Sequence, residues 1–242
     1  MKRYHFTIIS STNDYAKQLL EQENQVVITA DSQMKGRGRK ERNWEGDFGT
    51  NIYLSYGINH QNSPEYQSII LFQAVGCLAV IDSLELITKA TIFKLKYPND
   101  VFAFQENSYK KISGVLIEHS FMGNLCKSTI IGIGVNVNQT NFSSDVSEIA
   151  TSLKLLGFDI KTENLYNLLI EKINYYLHLD TMKLYELWKE RLNITNKIIS
   201  LSGSTNQWIA TEFMNDGRIK LINELNQERI VDDGDTIRYK LD

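Results

Sequence analysis

The sequence predicts an α/β chain in two parts, an α/β domain over residues 1–194 and a small β-barrel-like domain over residues 195–242. Three observations predict it. Through the first part, β-branched runs of strand length alternate with apolar patterns of helical period. From about Thr195, short strand candidates take over, separated by Gly203, Asn215-Asp216-Gly217 and Asp233-Gly234; Asp-Gly pairs between apolar runs are hairpin signals. With 242 residues, 42% of them hydrophobic and 23% charged, the chain has apolar surface for a large core with a smaller unit attached.

The first helix is expected to begin at Ser11, because Ser11-Thr12-Asn13-Asp14 offers an N-cap serine with an acid three residues on. Tyr15, Leu19 and Leu20 follow at helical spacing. Gln25–Ala30 reads as a strand, Met34–Gly49 as a long loop without periodicity, and Thr50–Ile58 as a second strand. Pro64 stands where a helix accepts a first-turn proline, and the apolar pattern from Tyr66 to Ile87 continues that helix. Strand-like runs follow at Thr91–Lys96, Ser113–Phe121 and Lys127–Val137. Thr162 is expected to cap a helix with Leu165, Leu168, Leu169, Ile173, Tyr176 and Leu177 on one face, and Met182–Leu192 forms the next.

Composition excludes several classes. There are 26 Lys+Arg against 29 Asp+Glu, a formal charge of -3, so no whole-surface grip on nucleic acid is expected. Cys77 and Cys126 are too few for a disulfide framework or a multi-thiolate metal site, and Cys77 in its apolar run reads as a small buried hydrophobe. The N-terminus lacks the apolar core of a signal peptide. The uncharged stretch from Tyr66 to Ile81 is too short for a bilayer and reads as a core helix. A soluble, cytoplasmic protein is expected. No P-loop, third Rossmann glycine or G-x-S-x-G elbow occurs. His5, His60, His119 and His178 lack metal-ligand spacing and read as ordinary surface or core histidines.

Gly36-Arg37-Gly38-Arg39-Lys40-Glu41-Arg42-Asn43-Trp44 is the most unusual segment. Glycine permits close backbone approach, and arginine matches carboxylate or phosphate bidentately. A solvated basic loop or a nucleic-acid arm has the same composition, although Trp44 needs something to pack on. Lys96-Tyr97-Pro98-Asn99-Asp100 ends a strand in what is also an ordinary turn sequence. Lys111 precedes a strand. Strand alternation puts Gly132, Gly134 and Asn136 on one face and Ile133, Val135 and Val137 on the other. The bare glycine face leaves room for a ligand or for another backbone.

Together these segments resemble the biotin protein ligase family. The motifs that carry the resemblance are Ser11-Thr12-Asn13, Gln33 with Gly36-Arg37-Gly38-Arg39 and Arg42-x-Trp44, Lys96-Tyr97-Pro98-Asn99-Asp100, Lys111-x-x-Gly114 and Gly132-Ile-Gly134-Val-Asn136, in the family's order over roughly residues 4–160. Three departures stand out: Tyr97 where the family has Trp, Glu41 inside the basic loop, and no helix-turn-helix ahead of Ser11, which fits the short form without a DNA-binding domain.

The resemblance implies a mixed sheet with helices on one side, an SH3-like C-terminal barrel, and an enzyme that makes biotinyl-5′-AMP from biotin and ATP with Mg²⁺, then biotinylates a lysine of a biotin carboxyl carrier protein of the acetyl-CoA carboxylase type. It implies Ser11, Thr12, Asn13, Gln33, Gly36, Arg37, Gly38, Arg39, Lys111 and Gly114 around biotin. Arg39, Arg42, Trp44, Asn99, Asp100, Lys111 and Asn136 would lie around the adenylate, with Lys111, Arg39 and Asp100 in the chemistry. Asp100 would serve either the nucleotide and metal or the incoming lysine, and no metal ligand is assigned. The partner is the carrier, with no nucleic acid and no membrane, for a monomer or homodimer. Lipoate–protein ligase or octanoyltransferase is the nearest alternative, with a thin acyl chain that needs a tunnel more than a polar cage; a nucleic-acid-binding protein and an inactive binding module are the others.

Overall fold

The computed structural model describes residues 1–60, 70–232, 234 and 236–241, and for Glu41 the backbone alone. The first part is a seven-stranded mixed sheet. In chain order its elements are β1 (Lys2–Ile9), α1 (Thr12–Leu19), β2 (Gln25–Gln33), β3 (Ile52–Asn59), α2 (Leu71–Thr88), β4 (Phe93–Lys96), β5 (Asp100–Gln105), β6 (Ser108–Met122), β7 (Leu125–Val135), α3 (Thr162–Leu177) and α4 (Thr181–Leu192). The strand order is β1-β2-β3-β7-β6-β5-β4. Only β1 and β2 are parallel, joined by α1; every other pair is antiparallel.

The helix starting at Ser11 forms as its cap demands, with the Ser11 hydroxyl accepting from the Asp14 amide at 3.3 Å. The start expected at Pro64 lies outside the described residues; the helix is described from Leu71. α2 is as long and apolar as a membrane span, yet most of it is buried in the core. Burial pushes the Cys77 thiol up to about 12, as befits a small hydrophobe. The α3 cap differs from expectation. Lys161 holds the N-cap position without a side-chain bond, and Thr162 is the first helical residue. Two strands were not expected at all. β1 is a mostly exposed edge strand, and β5 starts at Asp100, inside what reads as a turn.

Alternation divides the sheet into two unlike faces. Val27, Ile52, Leu54, Ile131, Ile133 and Val135 turn to α2, α3 and α4 and join the main core. α1 packs on the opposite face, over Val26, Ile28 and Ile130. Among the described residues three helices thus share one side, and α1 alone borders the open side.

The second sheet is antiparallel, built from β8 (Ile198–Leu201), β9 (Gln207–Phe213), β10 (Ile219–Asn223), β11 (Glu228–Val231) and β12 (Ile237–Arg238) in the order β11-β10-β9-β8-β12. It is a half-barrel. The Asn215-Asp216-Gly217 turn joins β9 to β10, with Gly217 at φ +82. Its core is continuous with the first part, since Trp188 of α4 meets Phe213 edge-on at 5.0 Å. Tyr97 bolts the sheets together: its hydroxyl donates to Gly217 O at 3.0 Å and its amide donates to the Tyr239 hydroxyl at 2.7 Å. The Tyr-for-Trp exchange therefore places a hydroxyl where two backbones can accept it.

Candidate functional site

On the open face a trough of about 760 Å³ lies over β7, β6 and β5. Glycines make its floor. A Cβ on Gly132 would stand 2.5 Å from Asn13 Oδ1, and one on Gly134 would stand 2.4 Å from the Trp44 indole. At Gly114 a Cβ would meet Trp44 at 3.2 Å and Lys111 Nζ at 3.4 Å. The bare face seen in the sequence thus makes room for side chains that close the trough.

One end is neutral and buried. Gln33 Oε1 accepts from the Thr12 amide at 2.7 Å and from the Thr12 hydroxyl at 3.0 Å. The single hydroxyl proton of Ser55 faces both Thr12 Oγ1, at 2.8 Å, and Asn13 Oδ1. Asn13 Nδ2 donates to Glu118 Oε2. The Asn13 amide is therefore oriented from both ends before any ligand arrives. Ser11, Thr12 and Asn13 are all buried at the start of α1, where the helix cap fixes their backbone.

The loop closes on itself. Gly38 N donates to Arg42 O at 2.7 Å, Trp44 N donates to Gly36 O at 3.0 Å, and Lys40 turns the chain at φ 52. Gly36 is required there, because a Cβ would lie 2.5 Å from Trp44 O. Arg37 lines the trough and has partners of its own. Its guanidinium grips Asp14 bidentately at 2.9 and 2.6 Å and reaches Glu118 at 3.5 Å. The hydrogen bonds from Arg37 hold the Asp14 carboxyl below its ordinary range. Arg37 thus ties the loop to α1 and β6, and it lines the trough together with Arg39 and Arg42.

The other end is charged. Lys111 Nζ lies 2.7 Å from Asp100 Oδ1, an ionic contact rather than a well-angled hydrogen bond, and 5.5 Å from the Trp44 ring. Trp44 roofs Gly114 and Gly134, and its buried Nε1 has no hydrogen-bond partner among the described residues. Asn99 Nδ2 donates to Val115 O at 2.8 Å and Asn136 Nδ2 to Thr151 O at 3.0 Å, so both amides use their donors to fix the walls.

All the sequence-predicted site residues converge on this trough or its loop. The histidines stay out of it. His60 and His119 share the Thr129 hydroxyl on the α2 side, at 2.8 and 2.9 Å. Sequence reasoning missed Asp14, Ser55 and Glu118. The available signal was a lone polar residue inside an otherwise apolar strand, as in Ile52–Asn59 and Val115–Glu118. Among the described residues no group of three or more His, Cys, Asp or Glu could hold a metal ion.

The family model described as the biotin/lipoate A/B protein ligase family matches residues 5–136, more than half of the chain. The bifunctional ligase/repressor BirA of Bacillus spizizenii is 34% identical over 154 residues, covering 60% of this chain and 44% of that protein. The biotin–[acetyl-CoA-carboxylase] ligase of Mycobacterium tuberculosis is 34% identical over 134 residues, 54% of this chain and 46% of that protein. The chain spans less than half the length of these curated relatives. Among solved structures, the Aquifex aeolicus biotin protein ligase in complex with biotin and ATP matches with TM-score 0.73 and 25% identity, over 99% of this chain and 98% of that one.

Proposed function

The chain belongs to the biotin/lipoate A/B protein ligase family, and we propose that it activates biotin with ATP and transfers it to a lysine of a biotin carboxyl carrier protein. A carboxylate oxygen of biotin attacks the α-phosphorus of ATP. The bond from that phosphorus to the β-phosphate oxygen breaks, pyrophosphate leaves with the electron pair, and biotinyl-5′-AMP remains. The neutral amine of the acceptor lysine then attacks the acyl carbon; AMP leaves and the amine gives up a proton.

The observation that carries the reading is the division of one trough into a neutral, hydrogen-bonding end and a cationic end. A fused-ring urea needs donors and acceptors held in place, which Ser11, Thr12, Asn13, Gln33 and Ser55 supply. The carboxylate and α-phosphate repel each other, so positive charge must be fixed beforehand, and Lys111 and Arg39 carry it. Asp100 aligns Lys111 and stands with Asn99 at the nucleotide end. Trp44, Arg42 and Asn136 border the adenylate, and the roof over it keeps water from the anhydride. Magnesium enters as part of the Mg·ATP substrate, because the Asp100 carboxylate is already against Lys111 and the phosphates and water supply oxygen ligands. Residues 1–194 hold both ligands, and residues 195–242 support them through Tyr97. The working compartment is the cytoplasm.

Pyrophosphate release from ATP tests this directly. Release should require biotin, with lipoate and octanoate inactive in its place. Release with an acyl chain and none with biotin would transfer the site to the lipoate branch, whose ligand has no use for the neutral cage.

A further inference from the structure

One cation on the open face has no part in the roles above. Lys96 ends β4, and the register sets Lys96 opposite Asp100, Asp100 opposite Gly114 and Gly114 opposite Gly134. Residues directly opposite share a face. Lys96 therefore stands on the trough side of the sheet, two strand spacings or about 10 Å beyond Gly114, on the far side of Asp100 from the neutral cage. Its ammonium lies 4.9 Å from the centre of the Phe102 ring and 6.0 Å from that of Tyr239. It is half-buried and makes no ion pair among the described residues. Burial lowers its pKa first of all; Asp100 opposes this, while Arg238 and Lys111 add to it. Asp100 is itself only 2.7 Å from Lys111. Among the described residues, Lys96 and Lys111 therefore share the one Asp100 carboxylate, which lies closer to Lys111.

We propose that Lys96 binds the β- and γ-phosphates of ATP and stays with pyrophosphate as it leaves, with Phe102 and Tyr239 holding its ammonium in place. This rests on the ligase reading and extends it. Lys111, beside the glycine floor, serves the α-phosphate, and the rest of the triphosphate runs along the row toward Lys96. As the bond at the α-phosphorus breaks, its electron pair passes to the β-phosphate oxygen, and the Lys96 ammonium meets the charge that collects there. Half-burial between two rings suits a small anion better than a broad acidic protein surface. Tyr239 follows β12, so the second sheet shapes the leaving-group end of the site without entering the neutral end.

The probe is inorganic pyrophosphate with Mg²⁺, titrated calorimetrically into the full-length protein, with orthophosphate as the comparison. Wild type should bind pyrophosphate more tightly than orthophosphate. Lys96→Met should weaken pyrophosphate at least tenfold, and Lys96→Arg should keep most of the affinity. In the reverse reaction from biotinyl-AMP, the KM for pyrophosphate should rise by the same factor in Lys96→Met, while transfer from preformed biotinyl-AMP to carrier stays unchanged. Equal pyrophosphate affinity in wild type and Lys96→Met, or no binding to wild type, overturns the proposal. A loss confined to carrier transfer overturns it in favour of an acidic docking surface. Lys96-dependent pyrophosphate binding in a wild type that makes no adenylate from biotin would retire the ligase reading and leave the polyphosphate site standing. Lys96→Gln provides a second neutral variant should Lys96→Met fail to fold.

Discussion

In β7 the odd-numbered residues Ile131, Ile133 and Val135 face the helices, and the even-numbered Gly132 and Gly134 face the trough. The first set is buried, close-packed and chemically inert. The second is bare and surrounded by charge and hydrogen-bonding groups. A sheet can bear both because its alternation separates the two demands residue by residue. Stability is collected on one side, which leaves the other free to keep ions half-exposed and glycines unfilled. The comparison also locates the exception: His60, His119 and Thr129 are a polar inclusion on the stabilising side.

The largest expected effect breaks the core side alone. Ile131 is fully buried, and its Cγ2 would meet a Cβ on Gly76 of α2 at 3.0 Å. Ile131→Ala should cost about 2–5 kcal/mol of stability, the usual range for such truncations. Biotin affinity of the folded protein should not change. Chemical denaturation and calorimetry on one sample measure both, and a matching loss of affinity would show that the faces are mechanically coupled.

Acid should act on the same side. Burial, with a smaller contribution from the nearby His60, lowers the His119 pKa to about 4. The unfolded chain takes up this proton below its ordinary value near 6.5, whereas the folded chain refuses it until about 4. Stability contributed by neutral His119 is therefore complete above pH 6.5 and drains away as pH falls toward 4. The shift corresponds to a few kcal/mol at most, on the order of 3. Between pH 7 and 4.5 the urea midpoint should fall less in His119→Leu than in wild type; equal falls in the two proteins would remove His119 from the account.

On the trough side, Lys111→Met should leave the thermal midpoint nearly unchanged and cut biotin-dependent adenylate formation by about 2 kcal/mol, the scale of a charged hydrogen bond. That is tenfold or more in rate. Biotin binding should fall by a smaller factor, because the neutral end does not include the ammonium. An unchanged rate would take Lys111 out of the chemistry, and an equal loss in biotin binding would erase the distinction between the two ends.

The sequence discloses these faces unevenly. The glycine face of β7, the Ser11 cap and the Asp-Gly turn are legible because each rests on a few adjacent residues. β5 is hidden because Asp100 is read as the end of a turn while it already pairs with Lys96 and Gly114. β1 is hidden because an exposed edge strand buries too little to leave a strict pattern. Arg37 illustrates the limit at the site. Its charge suggests an anion, and the residues it grips in the fold, Asp14 and Glu118, lie 23 and 81 positions away in the chain. Local spacing carries no trace of such a contact.

That contact also supplies the smallest expected effect, which separates anchoring from ligand binding within the trough side. Arg37 and Asp14 are both partly exposed, at 34% and 45%, so water screens the pair. Asp14→Asn keeps the shape and removes the charge, and Arg37 retains Glu118 at 3.5 Å. An exposed pair of this kind contributes about 0.5–1 kcal/mol. The loss should fall on the loop rather than on global stability, since Asp14 joins α1 to the loop through Arg37 and is itself partly exposed. Hydrogen exchange at the amides of Gly38 and Trp44, which close the loop on Arg42 and Gly36, should quicken about two- to fivefold. Raising the salt concentration in wild type should move exchange in the same direction, because screening weakens the same pair. Unchanged exchange in Asp14→Asn would mean that the loop's own backbone bonds hold it closed, and that the Arg37 clamp is a consequence of closure rather than one of its causes.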